Sequence, residues 1–427
     1  MLTSRIPGFY KLPIEERIKI IKEFANLSEE DVKILRSCLD VSLADKMIEN
    51  VISTFELPLG VAVNFLINGK DYIVPMAIEE PSVVAAASNM AKVARENGGI
   101  EASASEPVMI GQIHLSDLEN LEEAKKAIES KAKEIVEKAN EIEPSLLKYG
   151  GGAKGIEVRI TEHEDGEKFL VVHLLVDCRD AMGANVVNTM VEGIAPLLER
   201  ICKGKVYLKI ISNLAVYRTA KAKVVIKPET IGGEEVVDGI VKASKMAEAD
   251  PFRACTHNKG IMNGITAVAL ATGNDTRAIE AGCHAFACKD GKYRPLAIWR
   301  KDKNNNLVGK IEVPLAVATV GGAIRSHPKA RLCLKILGVK DSRELAMVMA
   351  SVGLVQNLAA VKAIVTEGIN RGHMELHARN IAMSLGIAVE KIDDVVDAVV
   401  SEARKKGKRI NTEFVKEIAE KMGVLNG

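Results

Sequence analysis

The chain has 427 residues, 47% hydrophobic and 27% charged, which is the make-up of an ordinary globular protein with material for two or three domains. Its 58 lysines and arginines balance 57 aspartates and glutamates, so no net basic field directs it to nucleic acid. The seven cysteines lack the dense spacing of a secreted disulfide scaffold and MLTSRIPGFYKLPIEERIK has no apolar leader, so a cytoplasmic protein is expected.

Helical periodicity opens the chain, and Ser28 with Asp31 fits a capping box ahead of VKILRSCL. VAVNFLI and YIVPMAI, joined by NGK, predict short strands about a tight turn. From residue 109 the elements follow in turn. MIGQIHL is a strand, and SDLENLEEAKKAIESKAKEIVEKANEI is one long charged amphipathic helix. IEVRITEH and EKFLVVHLLV form a hairpin across EDG, ANVVNTMVEGIAPLLERICK is a second helix, and VYLKIIS a last strand. That β-α-β-β-α-β order is the split-βαβ, ferredoxin-like pattern. LAMVMASVGLVQNLAAVKAIV (345–365) is interrupted by Ser351, Gln356, Asn357 and Lys362, so a buried helix is expected and not a membrane span. VEKIDDVVDAVVSEARKKGKR and TEFVKEIAEKMG then read as two short helices with a basic connector. The expected fold class is α+β and multidomain. A large, mostly helical domain (1–108 and 214–370) holds the long buried helix, a ferredoxin-like small domain (109–213) is inserted in it, and a small helical piece (371–427) closes the chain.

Two motifs are discounted. GGGAKG (150–155) matches G-x-G-x-x-G, but a helix precedes it and a strand follows, the reverse of a dinucleotide fingerprint. HMELH (373–377) puts two histidines on one helix face, yet Glu375 stands at the wrong offset for metalloprotease chemistry, and no metal is expected.

Four polar islands remain: EEPSVVAAAS (79–88), DCRDAMGANVVNTM (177–190), THNKGIMNG with TGND (256–275), and RGHMELHARN (371–380). Singly each has a plain reading: Glu79 and Glu80 beginning a helix, Asp180 capping one, His373 satisfied in a core. Together they supply a lysine, carboxylates and a histidine, the materials of an acid–base site. Lys259, set among asparagines, glycines and apolar residues, reads as a held cation, and a fixed cation beside an aspartate stabilises a developing alkoxide. A glutamate in an apolar cleft would deliver a proton near neutral pH.

As a set, and in the same order from SRIPGFYKL through MIENVISTFELP to RGHMELHARN, these segments resemble 3-hydroxy-3-methylglutaryl-coenzyme A (HMG-CoA) reductase of the soluble class found in bacteria and archaea. The resemblance implies reduction of a thioester to an alcohol by two hydrides, interconverting HMG-CoA with mevalonate and CoA. It gives Lys259 the oxyanion, Asp275 the tuning of that lysine, Glu80 the proton for the alcohol and His373 the proton for the CoA thiolate. Ser82, Arg253, Asn263 and Gln356 would hold the hydroxymethylglutaryl group; Asp180, Met182, Gly183, Asn185 and Asn213 would contact the nicotinamide cofactor on the small domain. It also implies a homodimer with its active site at the subunit interface, a C-terminal flap, and no nucleic-acid or membrane partner. Where NADH-preferring relatives carry an aspartate before the triple glycine, this chain has Glu143, so NADH is expected, with NADPH use left open. Two other readings stand beside this one: a catalytically inactive CoA-binding relative, and a metal-dependent hydrolase built on HMELH.

Overall fold

The computed structural model describes residues 3–366, 368 and 374–425. Among them ten strands form three sheets. β1 (Leu59–Ile67) and β2 (Lys70–Ala77) pair antiparallel through a turn at Asn68 and Gly69, whose φ values of 49° and 78° suit a two-residue hairpin. β3 (Glu101–Ala104) joins β8 (Thr219–Ile226), β10 (Leu307–Pro314) and β9 (Ala297–Lys301) in the order β3-β8-β10-β9.

β4 (Val108–Ser116), β5 (Gly152–Glu162), β6 (Lys168–Asp177) and β7 (Lys205–Ser212) form the third sheet in the order β5-β6-β4-β7, every neighbouring pair antiparallel. With helices following β4 and β6, this is the split-βαβ arrangement, and Met109, Ile113, Leu170 and Val176 bury against Val187, Val191 and Ile194 in a core of its own. The single long helix expected at 116–142 is two, Leu121–Ser130 and Ala132–Ile142, parted at Lys131. Ala124, Ile128, Ile135 and Ala139 stay buried across the break, so the apolar stripe gives no sign of it.

The Ser342–Val365 helix is the centre of the largest core, capped by Asp341 through the Glu344 N–H. It is apolar and buried almost all round, as a helix enclosed by protein must be. The Pro251–Ala271 helix lies against it, started by Asp250 as N-cap with Pro251 in the first turn. Small residues set how close the two come. A Cβ on Gly264 would meet Val352 at 2.9 Å and Gln356 at 3.0 Å, and one on Gly353 would meet Ile265 at 2.9 Å. Past the long helix stand Met374–Ser384, which carries the HMELH segment from Met374 on, and the two predicted helices Ile392–Lys406 and Thr412–Lys421, around Val395, Val399, Val415 and Ala419.

Candidate active site

The loop after β2, the Pro251–Ala271 helix and the long core helix wall a cleft of about 1430 Å³. Into it come Glu80 and Ser82 from the first, Arg253, Lys259 and Asn263 from the second, and Gln356 from the third. On the middle helix 253, 256, 259/260 and 263 recur every three or four residues, so one face carries the polar groups while Ile261, Ile265 and Val268 bury behind.

Lys259 donates to Glu80 Oε2 at 2.6 Å. The pair is not in an apolar enclosure, as the sequence suggests, because the lysine side chain keeps 59% of its exposure and the glutamate 42%. Among the described residues the hydrogen bond given for the Lys259 side chain is the one to Glu80. Ser82 begins the Val83–Glu96 helix with φ 69°, a left-handed backbone that costs energy outside glycine and gathers at functional sites. Partial burial pulls Arg253 below the ordinary guanidinium range, and no carboxylate among the described residues offsets it. Gln356 lines the cleft, and its Oε1 is a buried acceptor unpaired among the described residues. An anion-seeking arginine, a waiting acceptor and a lysine–carboxylate pair suit a substrate carrying a carboxylate, a hydroxyl and a carbonyl.

Asp275 is not in this cleft. It caps the Thr276–Ala287 helix, accepting from the N–H groups of Arg277 and Ala278, and pairs with the Arg277 side chain at 3.1 Å. Lys259 lies twelve residues, about 18 Å of helix, before Ala271. The following helix runs back along the first, fixed by Thr266 Oγ1 on Glu280 at 2.5 Å, which leaves Asp275 at the far end. His373 lies outside the described residues.

The residues expected at the cofactor gather elsewhere. Asp180, Met182 and Gly183 form the turn between β6 and the Ala184–Cys202 helix, with Asn185 exposed in its first turn. Gly183 has φ 108°, and a Cβ there would meet Cys178 Sγ at 2.5 Å, so this cradle admits only glycine and leaves the helix without a side-chain cap. Bare helix N–H groups beside a glycine turn fit the phosphates of a dinucleotide. The triple glycine reaches the same place, because a Cβ on Gly151 would meet Asp177 O at 2.5 Å and Arg179 Cγ at 3.1 Å. Glu143 stands before Pro144–Lys148 on that approach, with Ser145 Oγ donating to its carboxylate at 3.2 Å. Asn213, exposed, follows β7.

Sequence reasoning misses three buried polar residues behind these sites. His257 Nε2 donates to Ala297 O at 3.0 Å; Asn357 Nδ2 donates to His257 O at 3.1 Å; Arg218 reaches under the Asp180 turn. Asn357 is marked only as a polar break in an apolar helix and His257 only as part of a polar island, and the partners of all three are distant in sequence.

Cleft and turn are thus two separate candidate sites, the first lined by a lysine–carboxylate pair, an arginine and a glutamine, the second built on a glycine turn at an uncapped helix start. A family model, Hydroxymethylglutaryl-coenzyme A reductase, matches residues 13–378. The chain is 56% identical over 422 residues to 3-hydroxy-3-methylglutaryl-coenzyme A reductase of Archaeoglobus fulgidus, covering 99% of this chain and 95% of that one. It is 37% identical over 379 residues to a probable reductase of the same name from Borreliella burgdorferi, covering 88% and 86%. Among solved structures, the class II 3-hydroxy-3-methylglutaryl-CoA reductase from Streptococcus pneumoniae bound to NADPH in open conformations is similar with TM-score 0.82 and 43% identity, over 84% of this chain and 99% of that one. The chain belongs to the hydroxymethylglutaryl-coenzyme A reductase family.

Proposed function

We propose that this reductase converts HMG-CoA to mevalonate and CoA by two successive hydride transfers, with the roles divided between the cleft and the turn. The observation that carries the reading is the meeting of Lys259, Glu80, Arg253 and Gln356, from three separate segments, in one cleft. Arg253 takes the free carboxylate of the acyl group, and the Gln356 acceptor takes its hydroxyl. Ser82 and Asn263 complete the hold on that group.

The bound reduced nicotinamide supplies the hydride. As hydride reaches the thioester carbonyl, the Lys259 ammonium neutralises the oxyanion, which is worth most if a flap closes over it and excludes water. Glu80, which accepts from Lys259 at 2.6 Å, would in its protonated form pass a proton to the oxygen that becomes the alcohol. His373 would protonate the departing thiolate from residues 371–427, read as a flap. Asp275 would come to Lys259 from a second copy, so a homodimer with shared sites belongs to the proposal. Exposed Ile52 and Phe55, at 97% and 92%, support such an interface.

The turn at Asp180, Met182 and Gly183, with Asn185 and Asn213, would hold the dinucleotide on residues 109–213, leaving 1–108 and 214–370 to the acyl substrate and CoA. Glu143 favours NADH, since a carboxylate accepts from a ribose 2′-hydroxyl and repels a 2′-phosphate. Lys154, which would otherwise attract that phosphate, is drawn to buried Asp177 at 3.9 Å. A cytoplasmic location is part of the same reading, supported by the burial of the one described helix apolar enough to cross a membrane.

The test follows NADH and NADPH absorbance with HMG-CoA. Two reduced cofactors should disappear per CoA released, faster with NADH, and Lys259→Ala should abolish both steps without unfolding the protein. Near-normal turnover in that variant would remove the role given to Lys259.

A further inference from the structure

Arg218 stands just before β8, where the chain returns from the small sheet, and only 4% of it is exposed. Among the described residues it makes no direct salt bridge, though the Asp177 and Asp180 carboxylates lie near enough to favour its charge; backbone carbonyls take its hydrogens. Nη1 donates to Ala181 O at 2.9 Å and Met182 O at 3.0 Å, while Nη2 donates to Val317 O at 2.5 Å and Arg179 O at 3.4 Å. Burying a guanidinium is costly, and four carbonyls converging on one point would repel one another without it.

Three of those carbonyls belong to the turn before the Ala184–Cys202 helix. In a trans peptide C=O and N–H point opposite ways. With the carbonyls of Arg179, Ala181 and Met182 gathered on the guanidinium, the N–H groups of Asp180, Met182 and Gly183 face away from it. Arg179 has φ 51°, a left-handed conformation that needs outside support. Its carbonyl receives that support twice, from Arg218 and from Ser342 Oγ at 2.9 Å. Ser342 also donates its N–H to Asp180 Oδ1 at 2.8 Å, tying the turn to the start of the long core helix.

We infer that Arg218 is a positioning residue for the cofactor. It draws the turn's carbonyls inward, so that the amides of Met182 and Gly183 and the bare helix start are presented to the dinucleotide's pyrophosphate, and its buried charge lies behind them. Ser342 is its second support. The inference rests on the reading of the Asp180–Asn185 stretch as the dinucleotide site.

The test uses the full-length chain with Arg218→Lys, Ser342→Ala and Gly183→Ala. Steady-state KM is measured for the preferred dinucleotide and for HMG-CoA, and calorimetry gives Kd for ADP-ribose, which keeps the pyrophosphate and lacks the nicotinamide. Lysine has too few donors for four carbonyls, so Arg218→Lys should raise dinucleotide KM and ADP-ribose Kd about tenfold or more, the size of one lost charge-assisted hydrogen bond. HMG-CoA KM should stay within about twofold, and Ser342→Ala should shift the same two quantities less. Unchanged ADP-ribose affinity in folded Arg218→Lys overturns the inference, as does an equal rise in both KM values. If Arg218→Lys does not fold, unchanged affinity in Ser342→Ala overturns it. Gly183→Ala separates the two layers. If it weakens ADP-ribose while the other variants do not, the inference about Arg218 fails alone. If none of the three does, the cofactor reading of the turn fails.

Discussion

His257 lies two residues from Lys259 on the same helix, yet the structure gives it no acid–base work. It is 1% exposed, one ring nitrogen meets Ala297 O, and Nδ1 is buried without a partner among the described residues. Burial pulls its pKa from 6.5 down to about 4. The neutral ring therefore donates from Nε2 and serves as packing that fixes the helix behind Lys259. The sign of the linkage follows from the depressed value. Above pH 6.5 the ring is neutral folded or unfolded, while between 6.5 and about 4 only the unfolded chain takes up the proton. Stability should therefore fall as pH drops through that window, by roughly 3 kcal/mol from this residue alone. Urea unfolding at several pH values, compared with His257→Gln, checks it. The variant should be less stable at neutral pH but lose less on acidification, and parallel curves would refute the assignment.

At the scale of elements, the Pro251–Ala271 helix is located by a chain of contacts from β9. Trp299 is fully buried and sits opposite Gly309 of β10. Its Nε1 donates to Asn357 Oδ1 at 2.8 Å, and Asn357 in turn holds the His257 carbonyl. Gly309 exists for the indole, since a Cβ there would come within 2.2 Å of the ring. Gly309→Ala should cost about 1–3 kcal/mol by overpacking. As Trp299 is the chain's one tryptophan, its emission should shift as the melting temperature falls. Unchanged melting and emission would show that the contact is loose. Such contacts mark the boundary of what is legible beforehand. The capping box at Ser28, the Asn68–Gly69 turn and the β5–β6 hairpin are legible because each is decided by residues a few positions apart. The break at Lys131 is hidden because it leaves the buried stripe in register. The polar islands stand out by composition, but the approach of Glu80 to Lys259, 179 residues apart, is foreseen only through the resemblance. Arg218 is not foreseen at all, and Asn357 only as a polar break in a buried helix, since the partners of a buried polar residue are brought by folding.

For the whole molecule the telling distance is the one between Lys259 and Asp275. A lysine about 18 Å of helix from the end where Asp275 caps the next element cannot be tuned by that aspartate in its own chain. If both residues serve one reaction, a two-fold assembly must bring Asp275 of one copy to Lys259 of the other, and each site is then incomplete alone. Lys259→Ala and Asp275→Asn should each be inactive. Co-expressed, they form mixed pairs in which one site carries both lesions and the other carries none. The mixture should recover about a quarter of wild-type activity, since half the pairs are mixed and half their sites intact. Recovery near that level would place the two residues on opposite subunits. No recovery, from pairs shown by differential tagging to be mixed, would mean that Asp275 acts within its own chain, through a rearrangement of the Thr276–Ala287 helix, or that it does not serve Lys259 at all. The shared site would then have to be abandoned, and the exposed Ile52–Phe55 segment would need another partner.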